Sequence, residues 1–324
     1  MNFPDGLPVG AGWVATGDTT DVVFPFDGST VAKAPLGDAA LAARAIEEAL
    51  AVAPAMAKLP SHARRAALLG AHDALKARAA EFEDLLVLET GKPLADCKVE
   101  VARTVITLAT AAEEVARLHG ETVPLDLLPS GEGLMGFWTR RPIGVVVGIT
   151  GFNYPLLLAA HKIAPALAAG CPVIVKPAPS TPLATLWLVH LLRETGALPP
   201  EAVQLVTGDV EVGRTLVEDR RVGAVSFTGS AAAGHAIARN AAPTKVLLEL
   251  GSNAALVVAA DADLAAAADA VVRGGYYASG QACISVQRVV VEEAVREEFL
   301  ELLAARMSGV AVGDPGWPRP GWRR

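Results

Sequence analysis

The first 37 residues carry no sustained apolar period, and Gly, Pro, Asp and Thr recur among them, which reads as short strands and turns. From Asp38 the pattern becomes helical. Asp38 stands where an N-cap belongs, ahead of LAARAIEEAL. A second periodic segment opens at Ser61 and is stopped by Gly91 and Pro93, and a third runs from Leu94 to Leu118 before His119-Gly120. ETVPLDLLPSGEG, at 121–133, reads as exposed connection, and MGFWTRRPIG, at 135–144, alternates like a strand or hairpin arm.

From Gly144 the rhythm changes. GVVVGIT is a short β-branched run, followed by a helical segment to Gly170. CPVIVK is another, after which Thr181-Pro182 opens a helix that closes at Gly196. AVQLVTG, GAVSFTG and KVLLELG repeat the strand pattern, with helical stretches between them. A further unit comprises AALVVAA, an alanine-rich helix, a loop carrying Cys283, VQRVVVEE and the helix VREEFLELLAARM. Strands alternating with helices of this length imply an α/β fold built on a doubly wound parallel sheet.

Composition narrows the picture. At 324 residues and 52% hydrophobic, the chain can bury a large core, and its length predicts about two domains. Three widely spaced cysteines, Cys97, Cys171 and Cys283, form neither a disulfide framework nor a metal knuckle, so a reducing, cytoplasmic setting and no metal are expected. MNFPDGLPVG has no basic region followed by an apolar run, hence no signal peptide is expected. The longest apolar stretch, Leu156 to Val175, is interrupted by His161, Lys162 and Pro165, and fits a buried helix and strand better than a membrane span. A net charge of −7 argues against a nucleic-acid partner.

Candidate chemistry sits at the strand ends. In SGQACISVQR, Cys283 is either a small buried hydrophobe or a thiolate nucleophile, depending on its surroundings. In TGFNYP, Asn153 lies past a strand, where open α/β sheets bind ligands; its amide suits a developing oxyanion, or it is a turn asparagine. Lys176 ends VIVK, either solvated or reaching a ribose or phosphate. In FTGSAAAGHAI, Gly229 and Gly234 flank a strand-to-helix turn that offers amides to phosphate, without the GxGxxG spacing. Glu249 ends the apolar strand of LLELGSNA. A carboxylate partly desolvated there suits a general base, the alternative being an ordinary rim glutamate.

Taken in this order, with LELGSNA paired to GQACISVQR 34 residues from glutamate to cysteine, these segments resemble the aldehyde dehydrogenase superfamily from the N-terminus to about Pro315. The closest likeness is to the branch acting on small aldehydes such as lactaldehyde, phosphonoacetaldehyde or succinate semialdehyde. The resemblance implies oxidation of a small aldehyde to its acid with NAD or NADP. Cys283 would be the nucleophile, Asn153 with the Cys283 backbone N–H would hold the oxyanion, and Glu249 would activate water. Lys176 would bind the adenosine ribose, and Thr150, Phe152, Gly229, Ser230 and Gly251 would adjoin the cofactor. Tyr154 and His161 would line the substrate pocket. Glu249 disfavours a CoA-acylating relative. The cofactor domain would comprise 1–120 and 141–251, an oligomerisation arm 121–140, and part of a catalytic domain 252–324.

The ending, WPRPGWRR after Pro315-Gly316, builds neither helix nor strand. The family pattern continues for roughly another 150 residues, one domain's worth. A frameshifted end is therefore expected, with oligomerisation doubtful for this chain. The opposing expectation is an inactive fragment that at most binds nucleotide.

Overall fold

A computed structural model describes residues 5–316; the WPRPGWRR ending lies outside the described residues. The N-terminal segment forms two antiparallel hairpins, β1 (Leu7–Val9) with β2 (Gly12–Val14) and β3 (Asp18–Val23) with β4 (Thr30–Leu36). Four helices follow: α1 (Ala39–Lys58), α2 (Ser61–Ala77), α3 (Ala79–Thr90) and α4 (Leu94–Glu114). Asp38 caps α1 as expected, accepting the Leu41 N–H at 2.7 Å. The segment from Ser61 to Gly91 is two helices rather than one. Arg78, at φ −108°, breaks the helical path between them.

The arm is a short antiparallel pair, β5 (Glu121–Val123) with β6 (Gly136–Trp138). Part of the supposed connection is thus a strand, and the MGFWTRRPIG strand shrinks to three residues. Five parallel strands then build the main sheet: β7 (Val145–Ile149), β8 (Val173–Lys176), β9 (Val203–Leu205), β10 (Val222–Thr228) and β11 (Lys245–Glu249), in the order β11-β10-β7-β8-β9. Helices α5 (Pro155–Ala168), α6 (Leu183–Glu194), α7 (Val210–Glu218) and α8 (Ala231–Asn240) connect these strands. On one face α5 and α6 pack under α2, α3 and α4; α1, α7 and α8 cover the other. The near-continuous apolar strands follow from this double cover, which removes both faces from water.

Beyond the sheet, β12 (Ala254–Val258) pairs in parallel with β13 (Val286–Val291), flanked by α9 (Leu264–Tyr276) and α10 (Arg296–Met307). This unit has its own small core of Val258, Ala268 and Phe299, separate from the large cluster that runs from Leu7 to Ala241. No helix among the described residues is long and apolar enough to cross a membrane, and no described cluster of His, Cys, Asp and Glu could hold a metal.

Candidate active site

The chain leaves β7 toward β8 and β9 on one side, then returns to place β10 and β11 on the other. The strand order therefore reverses between β7 and β10, and a crevice outside their carboxyl ends is where such sheets take ligands. Thr150, Phe152 and Asn153 follow β7; Lys176 ends β8; Gly229 and Ser230 follow β10; Glu249 ends β11. One edge of the sheet gathers them all.

Lys176 is buried, and burial lowers its pKa against the opposing pull of Asp209. It stands at a cleft of about 450 Å³ whose lining is mostly apolar, including Pro179, Val210, Phe227 and Ile237. Asp209 also borders the cleft, but its Oδ1 caps α7 by accepting the Glu211 and Val212 N–H groups. An apolar slot with one buried ammonium at its edge fits a base and the hydroxyls of its ribose. At the β10–α8 turn, Gly229 has no room for a side chain, because a Cβ would lie 2.5 Å from the Phe227 ring. Ser230 caps α8, accepting the Ala233 N–H, so its hydroxyl serves the turn. Gly234 lies inside α8, where its bare Cα admits Leu250.

Cys283 is exposed, whereas Cys97 and Cys171 are buried. Burial pushes the Cys97 thiol up to about 12 and raises that of Cys171. Ahead of Cys283 the chain turns through three consecutive left-handed residues, Ala278 (φ 50°), Ser279 (φ 57°) and Gly280 (φ 76°). Two of these are not glycine, a conformation that persists only where the surroundings enforce it. Asn153 is one such contact: its Nδ2 donates to the Gln281 carbonyl at 2.6 Å. Oxyanion candidate and nucleophile candidate are thereby brought to one loop.

Glu249 departs from expectation. Its side chain is exposed rather than desolvated, because β11 alternates exposed with half-buried positions and Glu249 falls on the exposed face. The Glu249 carbonyl accepts the Gly229 N–H at 3.0 Å, which ties the end of β11 to the turn after β10. Thr150 is buried and its N–H continues the ladder to the Lys176 carbonyl, whereas Phe152 and Gly251 are exposed. His161 is exposed on α5, and its pKa is lowered by desolvation and by the Lys162 and Arg103 charges. Tyr154 is buried, its ring 3.9 Å from the Lys92 ammonium and 6.3 Å from the Tyr277 ring.

Several buried charges escaped the sequence reading. Lys162 donates to Thr228 Oγ1 at 2.8 Å and to Ser226 Oγ at 3.4 Å, crossing the switch point, and burial lowers its pKa to about 8. Gly148 makes way for it: a Cβ there would lie 2.9 Å from that of Lys162. Lys92 pairs with Glu100 in the interior, and Glu89 accepts the Leu183 and Ala184 N–H groups at the start of α6. Burial pushes the Glu89 carboxyl up to about 8 against those two bonds. The available signal was Lys162 inside an otherwise apolar stretch.

The aldehyde dehydrogenase family model matches residues 13–320. The chain belongs to the aldehyde dehydrogenase family. Aspartate-semialdehyde dehydrogenase 1 of Pseudomonas canavaninivorans is 40% identical over 295 residues, which are 91% of this chain and 63% of that protein. The structure of 3,6-anhydro-L-galactose dehydrogenase in complex with NADP superposes with a TM-score of 0.91 at 34% identity, covering 97% of this chain and 66% of the other. PnpE in complex with nicotinamide adenine dinucleotide superposes with a TM-score of 0.91 at 32% identity, covering 97% and 64%. This aldehyde dehydrogenase chain thus spans just under two thirds of the length of these relatives.

Proposed function

We propose that the protein oxidises a small polar aldehyde to its carboxylic acid with NAD or NADP, through a thioester on Cys283. The observation that carries this reading is the juxtaposition of exposed Cys283 with Asn153 at the carboxyl edge of the sheet. Lys176 and the apolar cleft beside it would hold the adenosine half of the dinucleotide, with Gly229, Ser230, Thr150, Phe152 and Gly251 toward its remainder. When bound, the nicotinamide supplies the hydride acceptor.

The chain's own residues divide the remaining work. The Cys283 thiolate attacks the aldehyde carbon, forming the S–C bond while the carbonyl oxygen takes the electron pair. Asn153 Nδ2 and the Cys283 N–H donate to that oxygen, once Asn153 has turned from Gln281. At the thioester stage, Glu249 takes a proton from water, whose oxygen bonds to the acyl carbon as the Cys283 thiolate departs. His161 adds polarity to the aldehyde pocket, and buried Tyr154 backs its wall. Aspartate semialdehyde, named for one relative, is a small polar aldehyde of the class proposed.

The cofactor domain is assigned to 1–120 and 141–251, and part of the catalytic domain to 252–324. Residues 121–140 are the arm. Exposed Leu127, Leu128, Met135 and Phe137 support its association with a second copy. The three unpaired cysteines support a reducing, cytoplasmic location.

The exposure of Glu249 together with Val257 supports a second reading, a chain that binds dinucleotide without turnover. Purified protein assayed with small aldehydes and NAD or NADP separates the two. Reduced nicotinamide formed in proportion to enzyme supports the first; dinucleotide binding without product supports the second.

A further inference from the structure

Helix α4 touches both halves of the proposed oxyanion site, and it does so through two carboxylates one helical turn apart. Glu100, wholly buried, accepts the Leu156 and Leu157 N–H groups on Oε1 at 3.0 and 3.1 Å. Those amides open α5, directly after Asn153 and Tyr154. The other oxygen of Glu100 takes Lys92 Nζ, whose ammonium lies over the Tyr154 ring. Asp96 accepts the Ala278 N–H on Oδ2 at 3.1 Å, across 182 residues of sequence. Ala278 is buried, and it begins the left-handed turn that delivers Cys283.

Residues four apart lie about 6 Å from each other along a helix axis and share a face. One rigid segment therefore sets both reference points, Glu100 for the Asn153 side and Asp96 for the Cys283 side. Tyr154, Leu157, Ala278 and Ala282 fill the space between them as one small apolar cluster, with Tyr277 and Leu158 packed on it. Ala278 and Ser279 are held at positive φ although neither is glycine, and the Asp96 carboxylate fixes the first of them by its amide. We infer that Asp96 is a positioning residue: by holding the Ala278 amide it sets the Cys283 N–H against the Asn153 amide, so that both donors meet one oxyanion. This rests on the proposed roles of Cys283 and Asn153. It assigns Asp96 no contact with substrate or cofactor.

Two reactions of Cys283 separate the roles. Acyl transfer from 4-nitrophenyl acetate passes through a tetrahedral oxyanion: the S–C bond forms, the bond from the acyl carbon to the phenolic oxygen breaks, and 4-nitrophenolate leaves. Alkylation by iodoacetamide displaces iodide at a saturated carbon and develops no oxyanion. Both are followed by stopped flow and mass spectrometry on the 324-residue chain, without cofactor.

Asp96→Ala is expected to slow acylation by roughly tenfold or more, as a misplacement of about 1 Å does, with alkylation changed less than twofold. Asp96→Asn retains an acceptor for the Ala278 N–H and should acylate within about twofold of the unsubstituted chain. Asp96→Glu, which keeps the charge but displaces the acceptor by a methylene, should resemble Asp96→Ala and serves if that variant does not fold. Unchanged acylation in the Ala and Glu variants overturns the inference, as does a parallel fall in both reactions. An unsubstituted chain whose Cys283 alkylates but never acylates, or in which Asn153→Ala acylates normally, overturns the proposed site itself and the inference with it.

Discussion

Asn153 donates its side-chain amide to the carbonyl of Gln281 at 2.6 Å, joining the end of β7 to the Cys283 loop across 128 residues. The donor that would stabilise an oxyanion is thus already occupied by the loop that carries the nucleophile. Removing one oxyanion donor costs about 2.7–4 kcal/mol in comparable acyl-transfer sites. Asn153→Ala is therefore expected to lower the acylation rate roughly a hundredfold. Pre-steady-state product formation measures it, and a loss below about tenfold would remove Asn153 from the oxyanion role.

Exposure separates the three thiols. Cys283→Ala should abolish dehydrogenase and esterase turnover, whereas Cys97→Ala and Cys171→Ala should leave either largely intact, both thiols being buried. Glu249→Gln should slow release of the acyl group, so that thioester accumulates and appears as a burst on mixing. Normal steady turnover in that variant would move the base elsewhere.

Lys162 gives a pH signature with a definite sign. Burial lowers its pKa from 10.5 to about 8. Between those values the unfolded chain binds a proton that the folded chain has lost, so stability rises with pH there. Below pH 8 the protonated folded form carries a cost on the order of 3 kcal/mol, from 1.36 kcal/mol per unit. Lys162→Met should lose this dependence. Urea unfolding at pH 7.5 and pH 10 should show the parent gaining relative to the variant; parallel curves would refute the burial effect.

Cofactor preference follows from Pro179, which borders the Lys176 cleft and carries no carboxylate to oppose a 2′-phosphate. Asp209 is engaged as the cap of α7. NADP should bind at least as tightly as NAD in fluorescence titrations. A strong preference for NAD would show that Asp209 or Glu218, also at the cleft, supplies the exclusion.

Val257 and Val290 stand opposite each other in the β12–β13 register, 71% and 48% exposed. An uncovered apolar face on a two-stranded sheet favours self-association. The chain should sediment as a mixture of larger species. The double substitution Val257→Thr with Val290→Thr should shift it toward monomer; an unchanged distribution would acquit this face.

The legible parts of this protein are those whose signal is local. Asp38 as a cap, Gly91 as a stop and the β-branched runs from Val145 to Glu249 each act within a few residues, and the pattern names them. Asn153, Lys176 and Glu249 were visible because they interrupt the pattern at strand ends. The roles of Glu100 and Asp96 were not, because their partners at Leu156 and Ala278 are 56 and 182 residues away. The break at Arg78 was equally hidden, since both flanking helices keep an apolar face. The exposure of Glu249 is hidden in the sequence because the cover over each face of β11 comes from elements elsewhere in the chain, which its own residues do not encode.

Arg193 ties the far side of that sheet. It donates to the carbonyls of Pro8, Gly10 and Gly12 and to that of Val203 in β9, while Gln204 takes the Gly10 N–H. Peptide groups at the β9 margin are thereby stitched to the N-terminal hairpin. Among the described residues, β11 has a strand neighbour on one side only. The other outer strand, β9, also has one strand neighbour, but its border is tied to the hairpin through these side chains. A strand added beside Lys245–Glu249 would therefore bring its own residues next to the Glu249 carboxylate.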